Sequence, residues 1–167
     1  LQTNAWSTQS AIQFFQGDYS SALKSRVRQY HYFTEDTKQR DNALSEFIHK
    51  YHRSHPEAVQ FVIRGSAHEN TFKEHLDKLG LRSHGTSLDK GQVQRTEVRM
   101  LFDYPKADFV DLSKRAFFEL TLHMLYGDLA NAIIDHEEMV KMVDVYSASL
   151  PSDFFDAWWR MLESQKV

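Results

Sequence analysis

The residues best suited to chemistry are Gly65 and His68, which form a Gly-x-x-His sequence near the middle of the chain. Residues 58–63 (AVQFVI) are apolar and predict a buried strand just before it. Residues 71–79 predict a helix just after it. In an α/β fold, the turn between a strand and a helix presents side chains at the carboxyl end of the strand, where active sites collect. We therefore expect a site at His68, with Glu69 beside it.

An imidazole at this place could be a metal ligand or a general base. The alternative for His68 is a turn histidine that hydrogen-bonds the backbone or lies at the surface. Arg40 belongs to a separate predicted helix, and taken alone it is a surface arginine.

Three more histidines, His49, His52 and His55, recur every three residues. A metal could bind between neighbouring helical turns, but Lys50 and Arg53 lie among them and their charges would repel a cation. We interpret this stretch as a solvated basic face near a helix end, where the helix dipole favours cations.

The rest of the sequence is mostly helical in pattern. Residues 96–104 alternate apolar and polar side chains and predict a second strand, and 81–83 could form a short third one. We predict an α+β or α/β fold in which a small, two- to three-stranded, mostly parallel sheet is flanked by six to seven helices. Residues 1–104 would form the α/β layer with the Gly-x-x-His corner. Residues 105–167 would form an acidic helical lobe packed on it, or the whole chain would be one domain.

Capping residues predict the helix boundaries. Gly17, Gly80 and Gly127 predict helix ends, Asp18 predicts a helix start, and Pro56 excludes further helix. Thr34 and Thr37 predict a further helix cap, which would divide residues 19–54 into two helices. The second of these helices would have an apolar face formed by Leu44, Phe47, Ile48 and Tyr51.

Composition limits the classes of function. With 167 residues and 41 % hydrophobic content, the chain can bury a core, and its net charge of −3 argues against a nucleic-acid binder. The absence of cysteine excludes disulfides and thiolate metal sites. No apolar run approaches the roughly 18 residues of a membrane span, and no signal peptide is visible. We expect a soluble protein whose localisation stays open, and the missing initial Met suggests a processed product or a piece of a larger protein.

Four features occur in order over residues 14–85: the turn Gly17-Asp18, the sequence Gln39-Arg40-Asp41, the sequence FVIRGSAH and the helix FKEHLDKLG. Together they resemble the carboxyl half of the Tiki/TraB group, which includes ChaN-like haem-binding proteins, erythromycin esterases and some bacterial toxin effector domains. Two positions depart from that pattern, because Gln39 stands where glutamate is usual and Asp41 where asparagine is usual.

The resemblance implies a metal-dependent hydrolase, often a peptidase, with Mn²⁺, Co²⁺ or Zn²⁺ as its candidate metals. His68 would be a metal ligand or the catalytic base, Arg40 would assist the ligands or hold substrate charge, and Glu69 would line the cleft. The amino-terminal half of such a domain is absent from this sequence. We therefore expect activity on a protein or peptide substrate to need a second chain or a missing half.

Two alternatives belong to other classes. The first is a helical protein–protein interaction module, such as an effector or adaptor domain, which binds another protein through its acidic carboxyl-terminal helices and its paired aromatics. These pairs are Phe154-Phe155 and Trp158-Trp159, for which core packing is the simpler interpretation. The second is carriage of haem or another ligand by an exposed histidine and an aromatic wall.

Overall fold

The computed structural model describes residues 2–63, 69–84, 106–133 and 136–165, and among them the side chains of 7–63, 71–84, 106–127 and 138–165. Six helices account for most of these residues, and no strand occurs among them. The helices are α1 (Gln2–Phe15), α2 (Tyr19–Ser54), α3 (Glu69–Lys78), α4 (Phe109–Ile133), α5 (His136–Ser149) and α6 (Ser152–Ser164). The predicted parallel sheet, and with it the α+β or α/β class, is therefore wrong.

The 58–63 segment, predicted to be the buried central strand, has no regular secondary structure. Val59, Phe61 and Ile63 are 80 %, 91 % and 97 % exposed. A strand is stable only when neighbouring backbone satisfies its amides and carbonyls. Among the described residues, no backbone group forms a hydrogen bond with residues 59–63. The other strand predictions differ in outcome: 81–83 is irregular, and 96–104 lies outside the described residues.

Three predicted helix boundaries are confirmed: the end of α1, the start of α2 and the end of α3. After α1, Gly17 has a φ of 78°, the left-handed conformation that glycine adopts without strain. The Asp18 side chain then accepts a hydrogen bond from the Ser21 backbone at 3.3 Å and begins α2. After α3, Gly80 has a φ of 73° and ends the helical path.

Two predicted helix breaks are wrong. The Thr34 hydroxyl donates to the carbonyl of Tyr30 at 2.9 Å, so this threonine bonds to the preceding turn and α2 continues past it to Ser54. Gly127 does not adopt a positive φ, and α4 continues through it to Ile133. A glycine inside a helix costs only about 1 kcal/mol relative to alanine, which packing of the rest of the helix can offset.

The main core joins four helices. Phe14 of α1, Ala22 of α2, Phe117 of α4 and Trp159 of α6 are all buried in one cluster. The rings of Phe14 and Phe117 stack with centroids 4.6 Å apart and planes 11° from parallel. A second, smaller cluster contains Tyr30 of α2 and a residue of α4, so α2 and α4 meet at two places.

Arg115 of α4 joins the last three helices. Its Nη1 donates to the carbonyl oxygens of Ser147 and Leu150, both at 3.3 Å, where α5 ends. Its Nη2 donates to Ser152 Oγ at 3.1 Å, where α6 begins. The guanidinium carbon lies 4.2 Å from the centroid of the Phe155 ring, a cation–π distance. The Arg115 side chain therefore holds the turn between α5 and α6 in contact with α4.

Candidate functional site

Arg40 lies on the solvent side of α2. Its Nη2 is 2.8 Å from Asp36 Oδ2, one helical turn earlier, and both side chains are exposed. An exposed pair at this spacing is an ordinary helix-surface ion pair. The structure thus places Arg40 beside Asp36.

The side chains of the other two predicted site residues, His68 and Glu69, both lie outside the described part of the chain. His68 lies outside the described residues. Glu69 is the first residue of α3, and its side chain also lies outside the described part. The proposed roles of His68 and Glu69 stay predictions.

The beginning of α3 packs against the middle of α2 through a buried polar contact. The Thr71 hydroxyl donates a hydrogen bond to Oδ2 of Asp41, and both side chains are buried. Thr71 is three residues after His68, and Asp41 is next to Arg40. Asp41 therefore contacts the start of α3, whereas its neighbour Arg40 faces solvent.

Asp41 belongs to a mostly polar stripe that α2 buries. Of the apolar face predicted for this helix, the stripe contains only Ile48. The hydroxyl of Ser45 donates to the Asp41 carbonyl at 2.7 Å, and the buried Thr37 Oγ1 has no hydrogen-bond partner among the described residues. Of the predicted face, Ile48 is buried, whereas Phe47 and Tyr51 are exposed. The buried stripe consists of Thr34, Thr37, Asp41, Ser45 and Ile48. It repeats every three or four residues, a period that could have identified it, but its polarity hides it from a search for apolar positions.

The Asp41–Thr71 contact positions α3 and offers no reaction site. A carboxyl and a hydroxyl in contact could in principle form a base and a nucleophile. Asp41 is completely buried, however, and Thr71 nearly so, so neither group is presented to solvent. What the pair can do is hold the first turn of α3 against α2.

The histidines near the end of α2 do not form a cluster of ligands. His55 stacks on Tyr51 with ring centroids 4.3 Å apart. His49 is half-buried, and its Nδ1 has no hydrogen-bond partner in the described part of the chain. Among the described side chains, no group of three or more histidine, aspartate or glutamate residues is arranged to hold a metal.

The paired aromatics of α6 are core residues, as the simpler interpretation predicted. Phe155 and Trp159 are buried, and Phe154 and Trp158 are half-buried. Trp158 meets the ring of Phe118 edge-on at 5.2 Å. These pairs therefore serve the packing of α6 on α4 and do not form an exposed patch for a partner.

The most exposed apolar side chains of the described residues lie at 59–63. Val59, Phe61 and Ile63 lie within five residues and are nearly fully exposed. Their neighbours Ala58, Gln60 and Val62 are more covered, which is the alternation of an extended chain with one side toward solvent. No backbone group of 59–63 makes a hydrogen bond to any described residue. Sequence analysis found these residues but assigned them to the core.

The chain matches no protein-family profile, no curated protein and no solved structure. None of the described helices is both long and apolar enough to cross a membrane.

Proposed function

We propose that this chain is a helical protein–protein interaction module and that residues 59–63 are its docking segment. The observation that carries the proposal is the exposure of Val59, Phe61 and Ile63 on a stretch of backbone that makes no hydrogen bond to any described residue. Single exposed apolar residues are common on protein surfaces. Three of them within five residues, on backbone without a partner in the described part of the chain, form a compact apolar surface of the kind that marks interaction sites.

The free energy at stake is substantial. Burying one valine, isoleucine or phenylalanine side chain contributes about 1.5–3 kcal/mol. Burying all three side chains would therefore contribute a transfer free energy of roughly 5 kcal/mol or more. A partner that covers them recovers part of this free energy and also supplies hydrogen bonds to amides and carbonyls that bond to no described residue.

The partner that fits such a segment is a protein with an exposed sheet edge. Strand addition uses the backbone of an extended segment for affinity and its alternate side chains for specificity. The 59–63 segment has both requirements: β-branched and aromatic side chains on one side, and backbone groups without described partners.

Site-specific cross-linking tests this proposal. The photo-reactive residue benzoylphenylalanine is incorporated in place of Phe61, and in a matched protein in place of Phe47, which is also exposed but lies on α2. Each protein is irradiated in an extract of its source cells. We expect a discrete adduct from position 61 that excess unlabelled wild-type chain abolishes and that excess Phe61→Ser chain leaves intact.

Equal adducts from positions 61 and 47, or competition by the Phe61→Ser chain as strong as by wild type, would refute the docking role of 59–63. Both substituted side chains are exposed, so the fold is expected to persist, and its helical circular dichroism verifies this.

A further inference from the structure

The docking segment 59–63 begins directly after a turn at the end of α2. The backbone N–H of His55 donates to the carbonyl oxygens of Tyr51 at 2.9 Å and His52 at 3.2 Å, and the helix ends there. The backbone N–H of Ala58 then donates to the carbonyl oxygen of His55 at 3.0 Å, which closes a four-residue β-turn. The residue just before the docking segment is therefore bonded to the end of α2.

Pro56 restricts the conformation of this turn. It is the second of the four turn residues, between His55 and the bonded Ala58. The proline ring holds φ at about −65°, the value that this position needs in the common β-turns. A turn with proline at this position therefore has few other conformations to adopt.

A pair of aromatic rings also ties the turn to the helix. The ring of His55 stacks on the ring of Tyr51, with centroids 4.3 Å apart and planes 17° from parallel. His55 Nδ1 lies 3.3 Å from the Tyr51 carbonyl oxygen, which accepts a hydrogen bond when Nδ1 carries the proton. Both residues are exposed, so the stack orders the turn and does not fill the core.

We infer that Tyr51, His55 and Pro56 are positioning residues for the docking segment, and that they fix the direction in which it leaves α2 before a partner binds. The inference rests on the proposed function and adds to it how the segment is presented. Ordering a segment at the moment of binding costs conformational entropy, and a segment that is already oriented avoids part of this cost. A sheet edge can then add the extended backbone as a strand without first ordering the turn.

Distances between spin labels test the orientation without any partner. The chain has no cysteine, so labels attach only at introduced ones: Arg40→Cys on the exposed side of α2 and Phe61→Cys in the docking segment. Double electron–electron resonance measures the distribution of distances between the two labels. We expect a single narrow distribution in the otherwise unchanged chain.

Three variants of the labelled chain identify the residues responsible. Pro56→Gly and Tyr51→Ala are each expected to widen the distance distribution, because each removes one constraint on the turn. Phe47→Ala is the matched control for Tyr51→Ala, since Phe47 is an exposed aromatic residue one helical turn earlier on α2. We expect this control to leave the distribution unchanged.

Competition for the cross-link at position 61 measures the effect on docking. The quantity compared is the concentration of unlabelled chain that halves the adduct. We expect it to rise about fivefold for Pro56→Gly and about threefold for Tyr51→Ala, and to keep its wild-type value for Phe47→Ala. All three residues are exposed, so the variants are expected to stay folded, and helical circular dichroism verifies this.

The inference is overturned by a wide distribution in the chain without these three changes, or by equal widths for Tyr51→Ala and Phe47→Ala. It is also overturned if the Pro56→Gly chain competes as well as wild type although its distribution is wider. A wild-type chain that does not compete at all refutes the docking function itself, a result distinct from equal competition by wild type and variants.

Discussion

Replacing Arg115 by methionine tests how α4 holds the two following helices. The Arg115 side chain is only 13 % exposed. Methionine keeps much of its aliphatic length and removes the guanidinium. The change therefore isolates the polar contacts that one side chain makes with α5, α6 and its own helix.

The expected loss follows from these contacts. The hydrogen bond from Arg115 Nε to Asp111 Oδ2, at 2.7 Å, and the stacking on Phe155 each contribute about 1 kcal/mol. The three longer hydrogen bonds, to Ser147, Leu150 and Ser152, add about 1–2 kcal/mol together. Because contributions within one network are not additive, we expect Arg115→Met to lower the free energy of unfolding by about 3 kcal/mol.

Urea unfolding measured by far-ultraviolet circular dichroism gives this number, provided the m-value stays constant. Lys114→Met is the matched control, because the neighbouring Lys114 also makes an ion pair, with Asp156 at 2.5 Å. Asp156 is 54 % exposed, so we expect the control to lose less than about 1 kcal/mol. A loss from Arg115→Met no larger than that of the control would refute the reasoning.

Three further predictions concern other parts of the chain. Thr71→Val removes the hydroxyl that bonds the buried Asp41 and is expected to destabilise the protein by about 2 kcal/mol, whereas Thr71→Ser keeps the bond and costs less than about 1 kcal/mol. Urea unfolding measures both, and equal losses would show that the hydroxyl is not what holds α3. The hydrogen bond from Lys114 and then its positive charge lower the pKa of Asp156 below its ordinary value. That stabilisation is present above the unfolded pKa and is lost as pH falls through the lower folded pKa. The stability difference between wild type and Asp156→Asn is therefore expected near neutral pH and to fade below about pH 4, and a difference that persists there contradicts the assignment. Finally, the hydrolase hypothesis predicts that Mn²⁺, Co²⁺ or Zn²⁺ raises the melting temperature, equivalent to about 2.7 kcal/mol at a hundredfold excess over Kd. His68→Ala must abolish this shift, and a shift that the variant retains, or none in wild type, argues against a metal at His68.

Local signals in the sequence determined the ends of the helices. Gly17 and Asp18 stop one helix and start the next because a positive φ and a side-chain cap depend on residues within a single turn. Pro56 excludes further helix for an equally local reason. The same kind of signal failed at Thr34, because its hydroxyl can cap a helix or bond back to the preceding turn, and only the surrounding packing selects between the two.

Tertiary structure decided the strand and the buried faces. The composition of 58–63 is suited to a strand, but a strand requires neighbouring backbone, which local sequence cannot supply. On α2, the apolar residues Phe47 and Tyr51 face water while Asp41 is buried, since the position of α3 determines which side of the helix is covered. The sequence could locate His68 and Arg40 by type and spacing. Which apolar residues stay exposed, such as Val59, Phe61 and Ile63, depends on what the rest of the described chain covers.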